Sequence, residues 1–173
     1  EKILGDTYSF STEELNLANP ETAGTIIDYP YPDTSLANQY IRAINTPAQR
    51  QKMKTTDSIM AVNLKKLVDG GVIIATGTDA GNTGTQHASS YFAELEAMQK
   101  AGLNNWQLLQ ASTINGARAL GQENEWGSIA TGKLANLLLL NKNPLEGINN
   151  WRSIDRVINQ GKLLRPDSII KNS

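Results

Sequence analysis

Two side chains that can bind a metal ion, move a proton or contact a substrate lie close together near the middle of the sequence. Asp79 belongs to a glycine-rich segment, Gly-Thr-Asp-Ala-Gly at residues 77–81, and His87 is the single histidine of the chain. A carboxylate can ligate a metal ion or act as a general base. The flanking glycines let the backbone turn sharply and let a ligand come close. The pattern therefore indicates a candidate site around Asp79 and His87.

Both side chains also have ordinary structural alternatives. From position alone, Asp79 fits a helix cap or a turn-ordering residue better than a ligand, because aspartate is common in turns of this kind. His87 likewise fits a surface or capping histidine. Glu94 and Glu96, on the helix predicted next, are typical of solvated charges, although Glu94 falls close to the apolar stripe of that helix. Spacing alone leaves the structural and the chemical interpretations open.

The histidine and cysteine counts limit what this chain can catalyse by itself. It contains one histidine and no cysteine, which excludes disulfides, thiolate zinc sites and cysteine nucleophiles. Catalytic zinc sites usually take two or three histidines, or histidines with carboxylates. A carboxylate-rich site stays open, so the count weakens metal catalysis without excluding it. Neither a glycine-rich phosphate cradle with lysine nor a Gly-x-Ser-x-Gly elbow is present.

Length and charge are those of an ordinary globular domain. The chain has 173 residues, a formal net charge of −1 and 39% hydrophobic residues, enough to bury a core. Without a basic run we expect no nucleic-acid partner, and without an apolar stretch of about 20 residues we expect no transmembrane segment. Because neither a starting Met nor a signal-peptide pattern is present, we expect that Glu1 is not the natural start. The compartment stays open between cytoplasm and export after signal removal.

The elements that must position the candidate site alternate between helix and strand. A helix that begins at Pro47 is predicted to break near residues 55–56, to resume and to end at Gly70. The short β-branched run at residues 71–76 predicts a strand buried on both faces, as in a parallel sheet. The glycine-rich segment then follows the carboxyl end of that strand, the edge where ligands gather in α/β sheets and barrels.

Further along, the pattern changes from helix to strand near residue 125. A helix is predicted over residues 86–101, and two short helices follow, capped by Asn104 or Asn105 and by Ser112 or Thr113. Strands are then predicted at residues 134–140 and 156–158. Asn-Gln-Gly-Lys at residues 159–162 predicts a tight hairpin turn.

Five segments, the glycine-rich one included, follow one another in a distinctive order. They are Ala-Thr-Gly-Thr-Asp-Ala-Gly at residues 75–81, His87 with Tyr-Phe-Ala-Glu-Leu at residues 91–95, Ala-Ser-Thr-Ile-Asn-Gly-Ala-Arg-Ala-Leu-Gly at residues 111–121, residues 127–137, and Asn-Pro-Leu at residues 143–145 with the hairpin at residues 157–164. These segments resemble strand eight, helix eight and the return to the small β domain in the amidohydrolase superfamily. The resemblance is strongest to its imidazolonepropionase-like and Xaa-Pro dipeptidase (prolidase)-like branch. Asn136 departs from the pattern, which usually has aspartate there.

The resemblance implies an α/β fold, the C-terminal part of a (β/α)8 TIM barrel followed by strands of a small β-sandwich domain. Residues 1–125 would hold the end of strand seven, helix seven, strand eight, helix eight and the following helices, and residues 126–173 part of the sandwich. It also implies one or two divalent metal ions, commonly zinc, that activate a water for hydrolysis of C–N bonds. Asp79 matches the strand-eight aspartate, a metal ligand and proton acceptor, and His87 matches a candidate substrate-binding residue. The other histidines and the lysine of such sites have no counterpart.

Three functional hypotheses follow. The first is the C-terminal portion of a metal-dependent amidohydrolase, inactive alone, whose partners are the remaining N-terminal part of the barrel and a small-molecule or peptide substrate. The second is a non-catalytic binding or assembly domain, and the third is one piece of a split enzyme. A homo-oligomer stays open in each case. Three aromatic residues near the N-terminus either line a pocket or pack in the ordinary way: Tyr8, Phe10 and Tyr31.

Overall fold

The computed structural model of the protein describes residues 46–81 and 87–165, so the interpretations of Tyr8, Phe10 and Tyr31 lie outside the described residues. The helices are α1 (Pro47–Asp69), α2 (Ser89–Lys100), α3 (Asn105–Ala111) and α4 (Ile114–Ala119). The strands are β1 (Leu137–Leu140), β2 (Ile154–Asn159) and β3 (Lys162–Leu164), with a 3-10 helix at Ile148–Arg152. This mixture of helix and strand confirms the α/β class.

Helix α1 begins at Pro47 as predicted but runs without interruption, so the predicted break near its two threonines is wrong. The hydroxyls of Thr55 and Thr56 each donate a hydrogen bond to a carbonyl oxygen one turn earlier, both at 3.0 Å. This bonding satisfies the threonine side chains within the helix, so they do not compete with its backbone. Of the helices in the described ranges, none combines the length and apolar character needed to cross a membrane.

Residues 71–76 do not form the predicted strand, and that prediction is wrong. No strand occurs there, and Val72 and Ile73 are 49% and 61% exposed. A strand buried on both faces needs a hydrogen-bonded neighbour on each side. This segment instead makes hydrogen bonds to helical residues: the Thr76 amide donates to the Ala111 carbonyl at 3.2 Å. The β-branched composition favours a strand, but the described chain provides no neighbouring strand for it.

The chain divides into two compact units, Glu1–Asn63 with Gly77–Glu94, and Leu64–Thr76 with Leu95–Ser173. The buried apolar side chains described all lie in the second unit: Leu95, Met98, Leu103, Leu108, Ala111 and Ala117. Removing these side chains from water is the main favourable contribution to the packing of that unit. The predicted domains, residues 1–125 and residues 126–173, refer to a complete barrel enzyme. This assignment of domains stays a prediction.

The two short helices predicted after α2 are both present. Helix α3 begins at a capping box, in which Asn104 and Gln107 each accept a hydrogen bond from the other's backbone amide at 2.9 Å. Asn104 is thus the cap, and Asn105 is the first helical residue. Helix α4 follows Thr113, whose hydroxyl donates to the Leu109 carbonyl at 2.6 Å instead of capping.

A three-stranded antiparallel sheet in the order β1-β2-β3 follows the helices. Gln160 and Gly161, which join β2 to β3, have positive φ values of 50° and 78°. This is the backbone geometry that a two-residue hairpin between twisted strands favours, so the predicted turn is confirmed. The Asn136 side chain accepts a hydrogen bond from the Gln160 amide at 2.8 Å. Asn136, the residue that departs from the pattern of the resembling family, therefore stabilises the hairpin turn.

Strand β1 begins at Leu137, later than the strand predicted over residues 134–140. The Leu134 amide donates to the Glu125 carbonyl at 2.8 Å, and the Asn136 amide donates to the Leu134 carbonyl at 2.9 Å. These bonds occupy groups that a longer strand would use for pairing, which explains the later start.

Candidate functional site

Asp79 lies in the glycine-rich segment at residues 77–81, called the turn below, where it is exposed and has a φ of 50°. Aspartate is one of the few residues other than glycine that tolerate this left-handed region. A side chain caps a helix from the residue directly before its first turn. Helix α2 begins only at Ser89, so Asp79 is too far from it to be its cap. Its exposed carboxylate remains available to ligate a metal ion or accept a proton.

His87 lies against the other end of the same turn. A Cβ built on Gly81 would lie 3.5 Å from the Nε2 atom of His87, which is ordinary van der Waals contact. What favours glycine at this position is therefore the backbone, whose φ of 107° is rarely adopted by other residues. The His87 side chain is exposed. The structure thus brings the imidazole next to the turn that carries Asp79.

Glu94, on α2, connects that helix to the beginning of the turn. Its Oε1 atom accepts a hydrogen bond from the Gly77 amide at 2.8 Å. Its Oε2 atom is buried and has no hydrogen-bond partner among the described residues. The interpretation of Glu94 as a solvated helix charge is therefore wrong. The signal that could have identified it was its position beside the apolar stripe.

Glu96, two residues further along α2, behaves as predicted for a solvated charge. Its Oε1 atom lies 3.5 Å from a guanidinium nitrogen of Arg152, and the two side chains are 41% and 35% exposed. Such exposed ion pairs contribute little to stability, because water screens the charges. The two glutamates of α2 therefore differ sharply: one bonds to the candidate turn and the other faces solvent.

A complete metal site is not present in the part of the chain that the structure describes. Within residues 46–81 and 87–165, no group of three or more His, Cys, Asp or Glu side chains is placed to hold a metal ion. A catalytic zinc ion takes three protein ligands and keeps a position open for water. Asp79 fits the role of one oxygen ligand, but the described residues do not complete its site.

Comparisons with known proteins place these residues in a family. A sequence model of the amidohydrolase family matches residues 30–164. An imidazolonepropionase from Syntrophobacter fumaroxidans is 39% identical over 77 residues, which cover 44% of this chain and 18% of that protein. A 5-methylthioadenosine/S-adenosylhomocysteine deaminase from Teredinibacter turnerae is 29% identical over 118 residues, which cover 64% of this chain and 26% of the deaminase.

Solved structures agree with the sequence relatives. The crystal structure of a Xaa-Pro dipeptidase with bound methionine superposes with a TM-score of 0.59 at 28% identity, covering 88% of this chain and 32% of the dipeptidase. The chain therefore spans a third or less of the length of each of these three relatives. The resemblance to imidazolonepropionase and Xaa-Pro dipeptidase enzymes is confirmed. The deaminase is a further class of relative that the sequence resemblance did not include. Since the family model matches most of its residues, this chain belongs to the amidohydrolase family.

Proposed function

We propose that this chain is the C-terminal part of a hydrolase that cleaves C–N bonds with a metal-activated water, and that Asp79 is its contribution to the metal site. The related proteins named above are hydrolases that act on C–N bonds. Amide, peptide and cyclic amide bonds are the substrate classes that this relationship supports. The metal is a divalent ion, with zinc as the expectation, and it would supply a water that is deprotonated near neutral pH.

The observation that carries the proposal is the exposed carboxylate of Asp79 on the turn, within residues matched by the family model. A carboxylate in this position can ligate a divalent cation and accept a proton from water. His87 lies beside the same turn and is proposed to contact the substrate. Its exposed imidazole can donate or accept a hydrogen bond there.

The rest of the barrel is proposed to come from residues outside this chain, either from the same polypeptide or from a separate one. Apolar side chains that a partner could cover are exposed on β1 and before the turn. They are Val72, Ile73, Leu138 and Leu139, which are 45–61% exposed. Exposed apolar side chains that form a continuous patch commonly mark surfaces that another element covers. We propose that residues 1–125 complete the barrel with that partner and that residues 126–173 complete a small β domain.

The test is made on the complete protein with Asp79→Asn, which keeps the size of the side chain but removes its charge. We expect bound zinc to fall below one equivalent and kcat/KM on a panel of dipeptides and cyclic amides to fall by about 100-fold or more, as for loss of a general base. The matched control is Asp57→Asn, on the exposed surface of α1, which should change neither. Unchanged zinc content and hydrolysis in Asp79→Asn would reject the proposal.

A further inference from the structure

The bond between Glu94 and Gly77 joins two parts of the chain that are 17 residues apart. The acceptor is a carboxylate and the donor a backbone amide, a charge-assisted pairing that is shorter and stronger than one between neutral groups. A Cβ built on Gly77 would meet no atom within 4 Å. Packing therefore does not enclose Gly77 on the side where a Cβ would lie, and the hydrogen bond to Glu94 is a contact that holds its backbone.

Asp79 follows Gly77 by one intervening residue and has a left-handed backbone with a φ of 50°. Even for aspartate, which tolerates this region better than most residues, the conformation costs free energy, so contacts that hold the backbone stabilise it. Helix α2 provides a contact of this kind through Glu94, because a helix is a rigid support for a side chain anchored on it. The direction in which the turn presents the Asp79 carboxylate is thereby coupled to the Glu94 side chain.

We propose that Glu94 is a positioning residue for Asp79, which acts by anchoring the Gly77 amide to α2. The proposal rests on the proposed function, because the orientation of Asp79 matters for hydrolysis only if Asp79 serves the reaction. Catalytic groups must be held close to their productive geometry, and small displacements lower the rate strongly. Glu94 therefore acts on the reaction through the turn and does not touch the reacting atoms.

Two substitutions of Glu94 distinguish the effect of its hydrogen bond to Gly77 from the effect of its negative charge. Glu94→Gln keeps an oxygen that can accept from the Gly77 amide, and it replaces the charged carboxylate with a neutral amide of nearly the same size. Glu94→Ala removes the acceptor altogether. The matched control is Glu96→Ala, on the same helix, whose carboxylate forms the exposed pair with Arg152. If Glu94→Ala does not fold, Glu94→Asp replaces it, because one methylene less draws the acceptor away from Gly77.

The experiment measures three quantities in the complete protein: hydrogen exchange at the Gly77 amide, kcat and KM on a hydrolysed amide, and the urea midpoint of unfolding. For Glu94→Ala we expect Gly77 exchange at least about tenfold faster, the change expected for loss of one hydrogen bond. We also expect kcat to fall about tenfold or more with KM within about twofold. In Glu94→Gln, the Gly77 exchange rate and kcat should stay close to those of the wild type. Glu96→Ala should change neither quantity.

Three outcomes would overturn the proposal. One is unchanged Gly77 exchange in Glu94→Ala. Another is a lower urea midpoint with unchanged kcat, which would make Glu94 a structural residue only. The third is normal exchange but lost activity in Glu94→Gln, which would show that the charge acts directly. A failure of the proposed function gives a different result. In that case Asp79→Asn would leave hydrolysis intact, while Glu94→Ala would still make the Gly77 amide exchange faster.

Discussion

The side-chain amide of Asn115 donates a hydrogen bond to the carbonyl oxygen of Ile74 at 2.9 Å. Asn115 lies in the first turn of α4, within the Ala-Ser-Thr-Ile-Asn-Gly-Ala-Arg-Ala-Leu-Gly segment that resembles a family motif. Ile74 belongs to the segment that precedes the candidate turn. Within the described chain this carbonyl has no strand partner, and the hydrogen bond from the motif asparagine joins Ile74 to α4 inside the second unit.

Loss of this bond should destabilise the protein measurably. Asn115→Ala leaves the Ile74 carbonyl without its donor in a part-buried place, and an unsatisfied polar group of this kind costs about 1–3 kcal/mol of unfolding free energy. Urea denaturation followed by circular dichroism measures the change. Asn115→Asp, which keeps the shape but cannot donate when ionised, should lose a similar amount. Wild-type stability in both variants would show that the bond contributes nothing.

Gly127 should be the glycine of the second unit least tolerant of substitution. A Cβ there would lie 2.6 Å from the Ala117 Cβ and 3.1 Å from the Ile114 Cα, and its φ is 91°. Overpacking costs about 1–3 kcal/mol and the left-handed backbone about 1–2 kcal/mol more for an L-residue. We therefore expect Gly127→Ala to lower the free energy of unfolding by about 2–5 kcal/mol, measured by chemical denaturation.

Gly132 is the matched control for this prediction. Its φ of 89° is nearly the same, but a Cβ at this position would meet no atom within 4 Å. Gly132→Ala should therefore show the backbone contribution alone, about 1–2 kcal/mol. Equal losses in the two variants would contradict the steric part of the argument.

Elements whose hydrogen bonds close within a few residues could be predicted from the sequence. The Asn104 cap bonds to Gln107, three residues away, and the hairpin turn is determined by Gln160 and Gly161. In such cases the residues whose types predict the element also make the hydrogen bonds that hold it. The family resemblance singles out the residues around Asp79 because it depends on the order of segments and not on local contacts, and the role of Asp79 stays a prediction.

Elements that depend on distant partners could not be predicted in the same way. The β-branched run at residues 71–76 has the composition of a strand but hydrogen-bonds to helical residues. The bond from Gly77 to Glu94 spans 17 residues, and no spacing rule connects a turn amide with a glutamate that far along a helix. The position of Glu94 on its helix therefore predicts a surface charge, and its bond to Gly77 cannot be predicted from that position.

The hairpin should become more stable when Gln160 is replaced by a residue better suited to its backbone. Gln160 has a φ of 50°, and Asn-Gly is the preferred pair for a turn with two positive φ values. We expect Gln160→Asn to raise the free energy of unfolding by about 0.5 kcal/mol, a fraction of the roughly 1–2 kcal/mol that a left-handed backbone costs most L-residues. Gly161→Ala, at a φ of 78°, should act in the opposite direction.

The thermal unfolding midpoint, compared across these two variants and the wild type, measures the effect. The hydrogen bond from the Gln160 backbone amide to Asn136 is unaffected by the substitution, so the comparison isolates the backbone preference. A lower midpoint in Gln160→Asn would contradict the assignment of this turn.

The chain of 173 residues should bind no stoichiometric zinc when it is purified without the rest of the barrel. The described residues hold no group of three potential ligands, and a single carboxylate binds zinc too weakly to survive dialysis, since catalytic sites need three protein ligands. Elemental analysis after dialysis, together with an amide hydrolysis assay, provides the measurement. Asp79→Asn in the same chain is the control for zinc bound elsewhere. One zinc ion per chain that disappears in Asp79→Asn would mean that this chain builds a metal site by itself, contrary to the prediction.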